Sequence, residues 1–292
     1  MKQDSTQPPV HELFRGHVHP PAGKDEQSVP LHSPFHFLRL SGQAPVLIFC
    51  DHASRHVPQA LSGLGLKGDD LLRHIAWDIG VKDVAGPLSR LLDAPTLLAG
   101  FSRLVIDPNR HLASRGSIPE ISDESSVPGN QNLDEAEREQ RIQAFFKPYH
   151  AAVARLIEAQ MAKGVRPLLV FLHSFTPVIG GAQRPWEVGV LWNEDDRLAR
   201  PVIEAFRSLG YNVGENEPYS GASPEDYSLH KHGEGRGLAP VLLEIRQDLI
   251  DNREGAEQWA RIIAQALNPL VAQADHLQSG SDRSRLETPL KA

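Results

Sequence analysis

Leu169-Val170-Phe171-Leu172-His173-Ser174-Phe175 is the stretch that decides the fold class. It is apolar at successive positions, with no polar face, until it reaches a histidine and a hydroxyl. That is the pattern of a parallel-sheet strand covered on both faces. Ligands of such sheets bind where the carboxyl ends of the strands open. His173 is therefore expected where chemistry takes place.

Three further runs end in the same way. Pro45 to Cys50 leads into Asp51-His52-Ala53-Ser54-Arg55-His56, Leu104-Val105-Ile106 into Asp107-Pro108-Asn109-Arg110, and Val241-Leu242-Leu243 into Glu244-Ile245-Arg246. Histidines, carboxylates and arginines at four strand ends suit a metal-activated water, which needs imidazole and carboxylate ligands plus a separate base. One such histidine alone is more often a hydrogen-bonded core or edge residue. Four converging endings bring the two readings level.

The chain has 292 residues, enough for a substantial core in one large α/β domain, which is preferred here to two small ones. With 30 basic against 37 acidic residues the formal charge is -7, which disfavours nonspecific nucleic-acid binding. The single cysteine, Cys50, excludes a disulfide framework within the chain and any multi-cysteine metal site. No apolar run approaches the roughly 20 residues that span a bilayer, and no signal peptide is evident. A soluble cytoplasmic protein with a small-molecule partner, neither nucleic acid nor membrane, is expected; the oligomeric state is unread.

Residues 1–35 mix prolines and charges with His11, His17, His19 and His32, and read as an extension that is disordered or loosely docked. Residues 274–292 read as a polar tail, which leaves 36–273 as the folded body. Within it, helical spacing covers Asp70 to Leu92, weakened at Gly80 and Gly86. Leu97 to Gly100 and Leu104 to Ile106 read as short strands. Asp134 to Lys163 is the clearest helix, with Asp134 and Glu137 as a capping box and a kink at Pro148. Val188 to Trp192 is a strand, Pro201 to Leu209 a helix, Tyr211 to Val213 the start of a strand, and Glu254 to Leu267 a helix stopped by Pro269. The alternation predicts an α/β fold: a single three-layer domain, its sheet mixed but mostly parallel, with helices on both faces.

Familiar nucleotide and nucleophile signatures are missing: there is no G-x-G-x-x-G, no P-loop and no G-x-S-x-G. Ser174 is a poor nucleophile candidate, because adjacent strand residues point to opposite faces and would keep it from His173. Arg110, on a loop at the open end of the sheet, suits a substrate carboxylate, with an internal salt bridge to Asp107 as the structural account of the arginines here. Glu244, after four buried positions, is expected to have a raised pKa and to act as base and then acid; pairing with Arg246 on the same strand face is the competing account. Asp78 is either a metal ligand or a helix-surface charge. The glycine-rich stretch Tyr227 to Gly237 reads as a mobile loop.

Four ordered motifs, Asp51-His52-Ala53-Ser54-Arg55-His56-Val57-Pro58, Ser102 to Arg110, Leu172-His173-Ser174-Phe175 and Leu243-Glu244-Ile245-Arg246-Gln247-Asp248, resemble the N-formylglutamate amidohydrolase family over about residues 45–250. That family looks like a branch of the zinc carboxypeptidase and aspartoacylase architecture, so the resemblance implies a zinc-exopeptidase-like fold. It also implies His52 and His173 as ligands of a divalent metal, zinc, with Glu244 as base. Asn109 and Arg110 become the clamp for a substrate carboxylate, with Arg103 and Arg246 as further substrate-binding candidates. The acid that the carboxypeptidase pattern places three residues after the first histidine is Arg55 here. Asp78 is the replacement for the third ligand and His56 the second choice.

The expected function is a metal-dependent hydrolase of a non-peptide C–N bond that cleaves an N-acyl amino acid, N-formyl-L-glutamate in the first instance. Two alternatives are kept: a catalytically inactive protein that binds an acidic metabolite, and a deacylase of a different N-acyl substrate.

Overall fold

Strand side chains alternate between two apolar clusters, and that alternation sets the architecture. The computed structural model describes residues 33–279. Seven strands form the main sheet: β1 (Phe35–Leu38), β2 (Val46–Cys50), β3 (Thr96–Ala99), β4 (Leu168–Phe175), β5 (Val188–Leu191), β6 (Val213–Glu215) and β7 (Pro240–Arg246). Their order is β1-β3-β2-β4-β7-β5-β6. β3, β2, β4 and β7 run parallel, β1 is antiparallel to β3, and β5 and β6 run against β7. The sheet is mixed and mostly parallel, as the alternating sequence pattern predicts.

One core takes Val46, Ile48, Val170, Leu172, Val241 and Leu243 and packs them beneath α1 (Val81–Leu92), α4 (Ala199–Ser208) and α5 (Arg253–Val271). The other takes Leu47, Phe49, Leu169, Phe171 and Leu242 and packs them against α3 (Lys147–Met161). Every residue of β4 is buried, which is why its sequence has no polar face. His173 continues the Leu169–Phe171 side, so it emerges at the carboxyl end of the sheet on the α3 side. Glu244 pairs in register with His173 on one flank and Gly189 on the other.

Several expected elements differ. Leu104 to Ile106 is not a strand, because β3 already has β1 and β2 as neighbours and offers no free edge. The segment is a buried turn whose carbonyls are taken by side chains: Asn130 Nδ2 donates to Leu104 O at 2.9 Å and Arg141 Nη1 to Val105 O at 3.0 Å. The helix expected from Asp70 starts only at Val81, after Gly80 turns the chain with φ of 82°. A Cβ at Gly80 would lie 2.2 Å from Ile250 O, so only glycine fits there.

The long helix is capped by Asp134 and Glu137 as expected, but it is interrupted by a π turn at Ile142–Phe146 between α2 (Glu135–Arg141) and α3. Pro148 lacks the N–H that would close the preceding turn and its ring crowds that carbonyl, and the wider π turn relieves both. Pro269 lies inside α5 rather than beyond it. The body also continues past 273. α6 (Ala274–Ser279) buries Leu277 and Gln278, and the Gln278 amide bridges Pro167 O and Ala239 N at 2.8 and 3.1 Å. At the other end β1 already begins at Phe35. The remainder of the expected extension and tail lies outside the described residues. Among the described residues no helix is long and apolar enough to cross a membrane.

Candidate metal centre and active-site cavity

Asp51 and His52 follow directly on β2, His173 sits within β4, and Asp78 reaches the same point from the turn before α1, where its N–H donates to His52 O at 2.9 Å. His52, Asp78 and His173 are all buried, and one ligand atom from each lies within 4.8 Å of the others. The two imidazoles turn their Nδ1 atoms to a single oxygen of Asp78, Oδ2, at 3.3 and 3.1 Å. A tetrahedral site with metal–ligand bonds of about 2.0 Å has edges of roughly 3.3 Å. These three residues therefore fit a metal ion, with Asp78 rather than His56 as the third member.

The opposite ring nitrogens are held by carboxylates. His52 Nε2 donates to Asp107 Oδ1 at 2.7 Å, and His173 Nε2 to Asp51 Oδ2 at 3.1 Å. This fixes both tautomers with Nδ1 turned inward, the arrangement by which outer carboxylates orient metal-binding histidines. Asp107 is in turn gripped by Arg103, whose Nε and Nη2 donate to Oδ2 at 3.1 and 2.8 Å. Asp51 takes hydrogen bonds on Oδ1 from Tyr149 Oη at 2.7 Å and Ser228 Oγ at 3.0 Å.

The charges follow from this packing. Burial works against ionising Asp107, but the Arg103 guanidinium, with His52, holds its carboxyl far below the usual range. Burial likewise opposes ionisation of Asp78, and the charge of His52 and the hydrogen bonds of both histidines overcome it. Asp51 is also lowered, its burial outweighed by His173. Burial disfavours a cation on His173, yet Asp51 and Asp78 raise its affinity for a proton well above normal. Three ionised carboxylates around two imidazoles create the demand that a divalent cation would meet.

Glu244 lines the same cavity, of about 310 Å³, together with Arg103, Arg110, Tyr219 and Asp226. Burial pushes its pKa up to about 8, with His173 opposing and Asp78 adding to the rise. Its Oε2 is buried with no hydrogen-bond partner. Gly189 makes the room: a Cβ there would come within 3.2 Å of Glu244 Cβ and 2.2 Å of Glu217 O.

Arg110 lines the cavity and no acid pairs with it among the described residues, as a substrate-binding arginine requires. Arg103 also reaches the cavity but is committed to Asp107 and, at 3.4 Å, to Asp78, so the salt-bridge account holds for it. Asn109 lines the cavity beside Arg110 and also shapes the loop, its Oδ1 accepting from the Tyr227 and Ser228 N–H groups at 3.1 and 2.8 Å and its Nδ2 approaching Asp226 Oδ2 at 3.4 Å. Arg246 is not part of the cavity. It pairs with Asp248 at 2.8 Å, because β7 has by then cleared the site. Ser174 Oγ donates to Ile79 O at 2.9 Å, away from any nucleophilic role. The stretch after Tyr227 is no loose loop: Ser228, Leu229 and His232 are buried, and Ser228 holds Asp51.

Residues 44–251, about seven-tenths of the chain, match the profile of the family described as N-formylglutamate amidohydrolase. The chain belongs to the N-formylglutamate amidohydrolase family. As a member it is a hydrolase acting on a carbon–nitrogen bond. Among solved structures, the gene product Atu2144 from Agrobacterium tumefaciens is 35% identical, with 82% of this chain and 97% of that one covered and a TM-score of 0.78. The N-formylglutamate amidohydrolase from Ralstonia eutropha JMP134 is 18% identical, covering 83% of this chain and 98% of that one with a TM-score of 0.60, and shares the fold. A comparison with curated proteins finds no match.

Of the residues the sequence singles out, His52, Asp78, His173, Glu244, Arg103, Asn109 and Arg110 line one cavity and Arg246 does not. The sequence reading does not reach Asp51, Tyr149 and Ser228. Asp51 was visible beside His52, but its partners lie 98 and 177 residues away, and no local pattern announces them.

Proposed function

We propose that this family member is a divalent-metal-dependent amidohydrolase, with zinc held by His52, Asp78 and His173, that cleaves N-formyl-L-glutamate or a related N-acyl amino acid. The observation that supports it best is the in-register placement of Glu244 beside His173, where it lines the same cavity as the three ligands and carries a buried oxygen with no hydrogen-bond partner. A cation held there would polarise the amide carbonyl and acidify a water.

The protein residues supply the remainder. Arg110 binds the substrate's carboxylate and so fixes where the scissile amide lies. Glu244 takes the proton from water as the water oxygen bonds to the acyl carbon, and gives it to the nitrogen as the C–N bond breaks. Burial favours the protonated carboxyl and so helps it hold and deliver that proton, while a cation bound beside it would help it ionise first. Asp51 and Asp107 keep the two imidazoles aligned throughout.

Asp78 stands where a third ligand is needed, so the arginine at position 55, which stacks 5.6 Å over the Trp77 ring, no longer favours a binding-only protein. The test is formate release from N-formyl-L-glutamate by the purified protein, repeated after chelation and after returning zinc, cobalt or manganese. Turnover lost with chelator and regained with metal is the expected result. Formate release that ignores the chelator would sink the metal-dependent mechanism, and no release under any metal would move the reading to other N-acyl amino acids.

A further inference from the structure

Arg184 poses a problem that the mechanism above leaves unsolved. It is only 8% exposed, and no carboxylate pairs with it among the described residues. Its Nη1 donates to Thr176 O at 3.3 Å, Thr176 Oγ1 at 3.1 Å and Tyr219 Oη at 3.2 Å, and its guanidinium lies 5.0 Å over the Tyr219 ring and 5.7 Å over that of Phe175. Taking a guanidinium out of water without a counter-ion is unfavourable. Hydrogen-bonding the carbonyl and hydroxyl of Thr176 does not require a cation at all.

The hydrogen-bond direction supplies an answer. A guanidinium can only donate, so Tyr219 Oη accepts and keeps its own hydrogen to give elsewhere. No side chain among the described residues takes that hydrogen, and Tyr219, 39% exposed, forms part of the wall at the open side of the cavity. Partial burial and Glu244 disfavour ionising this phenol and outweigh the opposing pull of Arg184, so the hydroxyl keeps its hydrogen. Tyr219 shares the wall of this cavity with Glu244 and the ligand cluster, the space in which charge would develop.

Resting on the amidohydrolase function proposed above, we propose that Tyr219 is a catalytic residue whose hydroxyl donates to the substrate's acyl oxygen as that oxygen gains negative charge. Arg184 is the positioning residue that holds the hydroxyl in the donating direction and polarises it. No proton changes hands. The hydrogen bond strengthens as water adds to the acyl carbon and relaxes when the C–N bond breaks, which is the behaviour expected of a donor aimed at a developing oxyanion.

Two measurements on the metal-loaded protein test this: steady-state kinetics with N-formyl-L-glutamate, and calorimetric binding of a phosphonamidate analogue of the tetrahedral species against binding of glutamate. Tyr219→Phe should lower kcat about 100-fold with KM within about threefold, and weaken the analogue by a similar factor while glutamate is unaffected. Arg184→Met should reproduce most of that loss, add little to Tyr219→Phe in the double variant, and be partly rescued by Arg184→Lys. Metal content stays stoichiometric in all of them. A rise in KM alone, an equal loss of analogue and glutamate, or no effect would overturn the assignment. Wild-type protein that prefers the analogue yet releases no formate would refute only the formyl substrate, with Tyr219 still decided by analogue binding. Wild-type protein with no preference for the analogue would overturn both.

Discussion

His173 is oriented by Asp51, whose other oxygen takes hydrogen bonds from two neutral hydroxyls, whereas His52 is oriented by Asp107, whose other oxygen is clamped by a guanidinium. Geometrically the two arms are alike: each imidazole is pinned through Nε2 and turns Nδ1 to Asp78. Electrically they differ, since Arg103 neutralises Asp107 while Asp51 keeps its full charge. The contrast separates two jobs. A carboxylate fixes a ring, and what backs the carboxylate decides how much negative charge reaches the ligand. The Asp51 arm ends at His173, the in-register neighbour of Glu244, the base of the proposed reaction.

The largest effect should come in the cavity that both arms border. Glu244→Gln removes the base and is expected to reduce kcat by about 10³-fold or more while metal content by elemental analysis stays at wild-type level. Loss of metal instead would make Glu244 a ligand and dissolve the distinction between arm and base. His173→Ala or Asp78→Asn should fail to retain stoichiometric metal after dialysis.

The next effect bears on the two arms directly. Asp51→Asn and Asp107→Asn should each weaken metal affinity by about 10- to 100-fold, read by competition with a chromophoric chelator. Their effects on folding should diverge. In Asp107→Asn an amide oxygen can still accept from Arg103, but the charge pairing is lost and the remaining carboxylate is Asp78 at 3.4 Å, so the denaturation midpoint should report a loss of roughly 3 kcal/mol. Without the Asp51 charge, an amide oxygen still accepts from Tyr149 and Ser228, and the loss should be near 1 kcal/mol. Equal losses would mean that the backing groups do not matter.

The contrast also explains what the sequence made legible. His52, His173 and Glu244 stand at the ends of apolar runs, where period-two alternation and a buried strand announce a site. Asp78 was ambiguous because its own segment reads as a helix face; only the turn at Gly80 sends it to the sheet. Arg246 shows the limit of alternation. It shares a strand face with Glu244, but at the strand end a step of two residues carries it past the cavity to Asp248. Leu104 to Ile106 looked like a strand because its residues are buried, yet its carbonyls are bonded by Asn130 and Arg141, a solution that leaves no periodic trace. Tyr149 and Ser228 were hidden for the same reason: one lies on a helix stripe that reads as core, the other in a stretch whose glycines suggest mobility.

Behind the Asp51 arm lies a second layer that should govern acid stability. His150 Nε2 donates to Pro108 O at 2.9 Å, so its Nδ1 accepts from His232 Nε2 at 2.8 Å, and both rings are neutral. Burial lowers His150 to about 4 and His232 to about 3. Unfolded, each titrates near 6.5, so below that pH the unfolded chain binds more protons and stability falls. The loss should begin near pH 6.5, grow to about 2 kcal/mol per histidine by pH 4.5, and level off below the folded values. His74, also lowered to about 4, adds the same slope in parent and variant. In His232→Gln the stability curve between pH 7 and 4.5, from urea unfolding, should be shallower; an unchanged slope would place the acid sensitivity elsewhere.

The smallest effect is the most discriminating about the arms. Tyr149 and Ser228 donate to the same oxygen of Asp51, so removing one leaves the carboxylate partly satisfied and still directed at His173. Tyr149→Phe should weaken metal affinity only about two- to fivefold, and Ser228→Ala by less, because in each the remaining hydroxyl still holds the carboxylate. The double variant should exceed the product of the two, since Asp51 Oδ1 then loses every donor in the described structure and the carboxylate is free to turn. The Arg103 arm allows no such graded loss, because there a single guanidinium supplies both bonds. If the double variant merely multiplies the single effects, the hydroxyls act as independent packing groups and the Asp51 arm is held by its backbone alone.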